Sequence, residues 1–134
     1  MGHTTLTAPP SFWKGYRVAL FSGRHKPKLG EPIAALPALS VTLTPQQIDV
    51  ERLAAYRRVC GFADGATLPI TYPQVLAGGL HLSLMADPLV PYPLLGVVPV
   101  RNQITQTKAI PAAAPLGLTV RFGESKAVRR GVEF

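Results

Sequence analysis

The sequence predicts an α+β domain: a curved antiparallel sheet wrapped around a long central helix. Three stretches carry that expectation. Leu39-Ser40-Val41-Thr42-Leu43 alternates apolar and polar residues, the pattern of a half-buried strand. Pro73 to Asp87 is apolar nearly all round through Val75, Leu76, Leu80, Leu82, Leu84 and Met85, as a fully buried helix requires. Leu116, Leu118, Val120 and Phe122 alternate strictly with Gly117, Thr119 and Arg121, predicting a second half-buried strand.

Taken in order, residues 1–10 are small and polar and end in Pro9-Pro10, which predicts a disordered tail. Ser11 to Phe21 predicts a short helix capped by Ser11, with Phe12, Trp13, Tyr16, Ala19 and Leu20 on one face and Lys14 and Arg17 off it. Ser22 to Pro37 reads as a basic connector carrying Arg24, Lys26 and Lys28. After the strand at Leu39, a helix runs to Cys60 and stops at Gly61. Two starts compete for it: the capping box Thr44-Pro45-Gln46-Gln47, with Pro at the first helical position, and Asp49.

Within the long helix, Gly78-Gly79 costs about 1 kcal/mol per Gly relative to Ala, and close approach of the sheet backbone is the expected return. Asp87-Pro88 ends that helix. Leu95 to Ile110 predicts a long strand, and Gly123-Glu124-Ser125-Lys126 a turn into a return strand through Val128, Val132 and Phe134. Phe134 falls inside that strand, so the sequence reads as a truncated chain, a partial gene product or half of a longer polypeptide. The order of elements is that of a hot-dog fold with its last strand missing. Residues 1–38 form an N-terminal extension and residues 39–134 the domain proper.

Composition narrows the function classes. One domain at most fits into 134 residues. A single cysteine, Cys60, excludes an internal disulfide or a multi-Cys zinc site and suggests a reducing, cytoplasmic home. His3, His25 and His81 are too scattered for a metal site. Pro88 to Val100 is broken by four prolines, and Val75 to Met85 is equally too short to cross a bilayer. The net charge of +7 and a pI of about 10.1 suggest an anionic partner.

The stretch from Tyr56 to Pro73 carries the clearest functional signal. Its Cys60-Gly61-Phe62 and Leu68-Pro69-Ile70-Thr71 resemble the active-site loop of the MaoC-like dehydratases and (R)-specific enoyl hydratases. In that family Tyr, three residues, Ser-Gly-Asp, one residue, Asn-Pro, an aliphatic residue and His follow one another. Pro91 to Val98 and Pro99 to Ile110 resemble the Pro-rich lead-in and the strand after it. Together the likeness covers residues 39–134 and is nearest to the amino-terminal half of the two-hot-dog actinobacterial 3-hydroxyacyl-thioester dehydratases. Phe62 stands at the family's catalytic Asp, Leu68 at its Asn and Thr71 at its His. Pro99 replaces a His, and Lys108-Ala109-Ile110 an Arg-Pro-Leu ending.

The resemblance implies a module of an enzyme that interconverts (R)-3-hydroxyacyl and trans-2-enoyl thioesters. Such a reaction needs a base for the C2 proton and an acid for the C3 hydroxyl. Phe62 cannot transfer protons, and the Thr71 hydroxyl is unactivated. Asp64 lies two residues beyond the family's Asp position and reads as a solvated turn residue before Gly65. The chain alone is therefore expected to be inactive. Val75, Leu76, Gly79, Leu80 and Leu84 are the residues expected along an acyl chain, with core packing as their bland reading. No metal or redox cofactor is implied; coenzyme A or acyl carrier protein carries the substrate. The implied partners are the acyl thioester and a catalytic hot-dog domain or subunit, in a homo- or heterodimer.

Other constellations have ordinary readings. Cys60 and His81 lack the flanks of a thiol enzyme and read as core or rim residues. Arg129-Arg130 and the Arg24–Lys28 cluster suit either phosphate contact or a solvated surface. Arg101, Asn102 and Gln103 fall where the family's strand lines the interface between hot-dogs, or on a solvent face. The start of the Pro73 helix offers N–H groups for an acyl carbonyl, or is an ordinary buried helix start capped by Thr71. Two further function classes stay open: a stand-alone non-catalytic subunit that pairs with a separate catalytic hot-dog, and a basic nucleic-acid or membrane-surface binder. Phe12 to Lys28 is the stretch that mixes aromatic and basic residues, and packing of its aromatic face on the protein's own sheet is the expectation.

Overall fold

A computed structural model describes residues 2–22, 36–94, 97–129 and 131–134. The fold is mixed α+β. A three-stranded sheet has the order β1-β2-β3, with β1 Gly2–Leu6 parallel to β2 Leu39–Gln46 and β3 Leu116–Arg121 antiparallel to it. Between β1 and β2 in the chain lies the helix α1 Phe12–Ser22; between β2 and β3 lie α2 Val50–Cys60, α3 Tyr72–Leu76 and α4 Gly78–Met85. A hairpin of β4 Lys126–Val128 and β5 Gly131–Glu133 closes the chain.

The main core forms where α4 meets the sheet. Leu39, Val41 and Leu43 point from alternate positions of β2 onto Leu80 and Leu84 of α4, with Val90 closing the cluster. Leu80 is completely buried. Leu6, Leu118, Val120 and Phe122 flank them. The opposite face of the sheet is polar: Thr42 meets Thr119 at 2.9 Å between hydroxyls, and His3 Nδ1 meets the Ser40 hydroxyl at 2.8 Å. Strand periodicity at both expected strands is thus realised.

Several expectations are corrected. Residues 2–6 are not disordered but form an edge strand, because backbone pairing with β2 needs no apolar side chains beyond Leu6. Among its residues Thr4 and Thr5 are β-branched, a strand-favouring signal that the flanking prolines obscured. The long helix from Pro73 to Asp87 is broken at Ala77 into α3 and α4. Gly79 is tightly packed, but against the N-terminal segment and not the sheet: a Cβ there would stand 2.7 Å from the Pro10 carbonyl oxygen, whereas one on Gly78 meets open space.

The aromatic face of α1 does not pack on the sheet. The helix rests on α4 through its small residue Gly15, where an added Cβ would lie 3.3 Å from Leu82 Cβ, and Phe12, Trp13 and Tyr16 stay exposed. Only the backbone of Ala19 and Leu20 is described. Residues 97–110 form no strand; they run as exposed chain until Ile110, with Pro99 lacking an amide donor for any ladder. Leu95 and Gly96 lie outside the described residues, as do Arg24, Lys26, Lys28 and Arg130. The return strand is split into the β4–β5 hairpin, which does not join the three-stranded sheet. Its end docks through Phe134, stacked on Tyr92 and edge-on to Phe122.

Opposite outcomes are expected at the two adjacent glycines. Gly78→Ala should stabilise the fold by about 0.5–1 kcal/mol through helix propensity. Gly79→Ala should destabilise it by about 1–3 kcal/mol, because backbone must move to admit the methyl group. Urea unfolding of the two variants checks both signs.

Candidate functional site

The loop between α2 and α3 holds the residues that resemble an active site. Asp49, not Thr44, caps α2: its carboxylate accepts from Arg52 N at 3.0 Å. Thr44 and Pro45 instead belong to β2, whose register shifts between Leu43 and Gln46 where Pro45 cannot donate. At its other end α2 stops on Gly61, whose φ of 72° places it in the left-handed region. The amides of Gly61 and Phe62 both return to the Arg57 carbonyl.

Arg57 is the buried charge at the centre of this loop, 6% exposed. It lies one turn after Leu53 on the inner face of α2. Its guanidinium donates to the carbonyls of Ala63, Gly65 (3.0 Å) and Thr67 (2.5 Å). Among the described residues no carboxylate lies within salt-bridge distance of it. A planar, always-charged fork suits this task, since it serves several carbonyls at once in a fixed geometry. The loop's far end is pinned separately: Leu68 N donates to Ile110 O and Ala112 N to Ala66 O, both at 2.8 Å. Sequence reasoning missed Arg57, since a buried arginine on carbonyls leaves no charge partner in the sequence to reveal it.

This frame brings two of the expected positions together on Tyr56. The Phe62 ring stacks on the Tyr56 ring at 5.9 Å between centroids and 19° between planes. The Thr71 hydroxyl meets the Tyr56 hydroxyl at 2.6 Å. Tyr72 tilts against the same ring at 5.1 Å. Leu68 is buried with Leu53 and Tyr72 in a second, smaller core beneath the loop. Burial pushes the Tyr72 hydroxyl above its usual range; Asp49 raises it further and Arg52 opposes. Chemically, the cluster offers the hydroxyls of Tyr56, Thr71 and Tyr72 beside a Phe62 ring that has no proton to transfer.

The remaining candidates disperse. Leu80 and Leu84 lie in the main core, Leu76 packs beside the second core, Val75 is exposed and Gly79 faces Pro10. Asp64 is exposed on the rim of a shallow depression lined by Ala54, Arg58, Phe62 and Ala63. Thr71 makes no side-chain cap on α3, and α3 spans only five residues. Cys60 is exposed, not a core residue, because it ends α2 on the outer side. His81 is half-buried on α4, and burial lowers its pKa. Arg101 pairs with Glu133, while Asn102 and Gln103 are exposed. Arg129 is exposed at the turn of the hairpin. Among the described residues no group of three or more His, Cys, Asp or Glu side chains is placed to hold a metal ion. No helix among them is long and apolar enough to cross a membrane.

The chain is similar to the 3-hydroxyacyl-thioester dehydratase X of Mycobacterium tuberculosis (strain ATCC 25618 / H37Rv), at 33% identity over 97 residues. That match takes in 72% of this chain and 35% of the other protein. The chain therefore spans about a third of the length of the curated relative it matches. No family model matches the chain. No solved structure matches it.

Arg57→Met should destabilise the fold by about 2–4 kcal/mol, because three carbonyls lose a charged donor together. Limited proteolysis should then cut between residues 61 and 67, where the parent chain resists. Acid should weaken the fold through His81. Its folded pKa lies below the unfolded value, so its contribution is full above the ordinary histidine pKa of about 6.5. That contribution is lost as pH falls toward the folded pKa. A urea midpoint that drops over this interval in the parent but less in His81→Gln is the expected result.

Proposed function

We propose that this chain is the amino-terminal, non-catalytic hot-dog module of a MaoC-like 3-hydroxyacyl-thioester dehydratase. The observation that carries the reading is the 97-residue similarity to a protein named as such a dehydratase. The Tyr56 cluster is consistent with it. The positions that resemble the family's Asp and His, Phe62 and Thr71, contact one tyrosine. They thus share one partner, Phe62 through the ring and Thr71 through the hydroxyl, and neither carries an acid or base for proton transfer.

On this reading the complete enzyme removes the C2 proton and expels the C3 hydroxyl of an (R)-3-hydroxyacyl thioester as water, giving the trans-2-enoyl thioester. A catalytic hot-dog, in the same polypeptide or in a partner subunit, supplies the base and the acid. The substrate arrives on coenzyme A or acyl carrier protein, in the cytoplasm. This module contributes shape: Val75 and Leu76 of α3 stand beside the loop for the acyl chain, Gly79 of α4 admits the close approach of Pro10, and Leu80 and Leu84 fix α4 on the sheet. Arg57 keeps the loop's outline without a role in proton transfer.

Purified alone, the chain should not hydrate crotonyl or longer enoyl thioesters. Co-expressed with a catalytic hot-dog that retains the Asp and His, it should co-purify and raise turnover of longer acyl substrates above that of the catalytic partner alone. Turnover by the isolated chain that survives substitution of Phe62 and Thr71 but is lost in Asp64→Ala would overturn the assignment of positions.

A further inference from the structure

The outward side of α1 is left unused by the reading above. Trp13 is 73% exposed, Phe12 52% and Tyr16 43%. Their rings touch edge to face, Phe12 to Trp13 at 6.1 Å and Trp13 to Tyr16 at 6.5 Å. They form one continuous aromatic edge. The cleft beside the helix, about 470 Å³, is lined by Pro10, Lys14, Gly15, Val18, Gly79 and neighbours, and by none of these rings. The aromatics therefore make a ridge, which inserts, and not a pocket, which receives.

Charge indicates what the ridge inserts into. Lys14 and Arg17 are exposed on the same helix, flanking the aromatic face, with Lys14 on the cleft side where Asp87 also lies, and α1 itself contains no acidic residue. The first 30 residues of the sequence carry five Lys or Arg and no Asp or Glu. The helix is held from behind, by Gly15 against Leu82 and by the Pro10 carbonyl over Gly79, so its outer side is presented on a firm base. Aromatic rings settle at a bilayer's headgroup level, with apolar body inward and polar tip outward. Long cationic side chains beside them reach anionic headgroups.

We propose that α1 is an interfacial helix that docks this protein on an anionic lipid surface, with Phe12, Trp13 and Tyr16 entering the headgroup layer and Lys14 and Arg17 contacting lipid phosphates. The helix lies in the plane of the surface and does not cross it. An acidic protein partner would share the charge chemistry but would need a concave, polar-rimmed seat for the ridge.

Trp13 is the only tryptophan in the sequence and reports directly. The whole chain is mixed with vesicles of phosphatidylcholine alone or with added phosphatidylglycerol, and emission and co-sedimentation are followed. Blue-shifted emission and sedimentation are expected with the anionic vesicles, weakening with salt. The pair Lys14→Glu and Arg17→Glu should lower partitioning by about tenfold or more. Phe12→Ser with Tyr16→Ser should abolish sedimentation while circular dichroism stays unchanged. Absence of sedimentation with both vesicle types, or equal binding to both, would sink the proposal. A blue shift that grows with protein concentration in the absence of lipid would do the same, assigning the ridge to contact between copies. So would a shift produced by an acidic protein but by no vesicle.

Discussion

The helix Gly78–Met85 is packed on two sides, and most of the fold follows from that constraint. Toward the sheet it presents Leu80 and Leu84, one turn apart, and their burial against Leu39, Val41 and Leu43 supplies the main core. Away from the sheet it must be thin, because α1 lies there and the Pro10 carbonyl sits over Gly79. The fit on that side is shared: Gly79 of α4 admits the Pro10 carbonyl, and Gly15 of α1 admits Leu82 of α4. The N-terminal strand depends on the same contact. A parallel pair such as β1–β2 needs a crossover between its strands, and α1, resting on α4, is the helix that lies between them in the chain. Whatever pushes Pro10 from Gly79, or Gly15 from Leu82, also loosens the anchorage of β1.

The loop after α2 obeys a separate constraint, set by one charge. A buried guanidinium without a carboxylate is costly unless its donors are used. Arg57 uses them on backbone carbonyls of the loop itself, which turns a desolvation problem into a template for the chain path. Gly61 makes the reversal possible, and the pairing of residues 66–68 with 110–112 fixes the exit. The loop is thus shaped by backbone contacts. The contacts that set its outline run through backbone carbonyls and amides, and none of them uses the side chain of residue 62 or 71.

What could be read from the sequence divides along physical lines. Side-chain periodicity and end signals are local, so β2 and β3 were legible, as were α2 and its stop at Gly61. Contacts distant in sequence were not. The use of Gly79 depends on Pro10, some seventy residues earlier. The strand at Gly2–Leu6 is defined by a partner 37 residues away and hides behind a polar composition. The expected strand from Leu95 to Ile110 rested on apolar residues such as Val97, Val98 and Val100, yet Val98 and Val100 are largely exposed. At the site, Phe62, Leu68 and Thr71 were found by resemblance, while Arg57 was overlooked because its partners are carbonyls that every residue possesses.

The Tyr56 cluster also bears on what residues 62 and 71 can do here. A carboxylate at residue 62 would replace a ring stacked face to face with Tyr56, and a His at residue 71 would displace a hydroxyl 2.6 Å from the tyrosine's own. Ring stacking and an ionised acid/base pair are competing uses of one small space: the first favours water exclusion and close apolar contact, the second needs a charged group that remains solvated or paired. Arg57 is committed to carbonyls, and the cation beside Phe62 is Arg58, which is exposed to solvent at the rim of the depression. Once residue 62 is aromatic, the surroundings favour packing over proton transfer. On the proposed reading, chemistry then belongs to the companion domain, and this loop serves as a wall whose position Arg57 maintains.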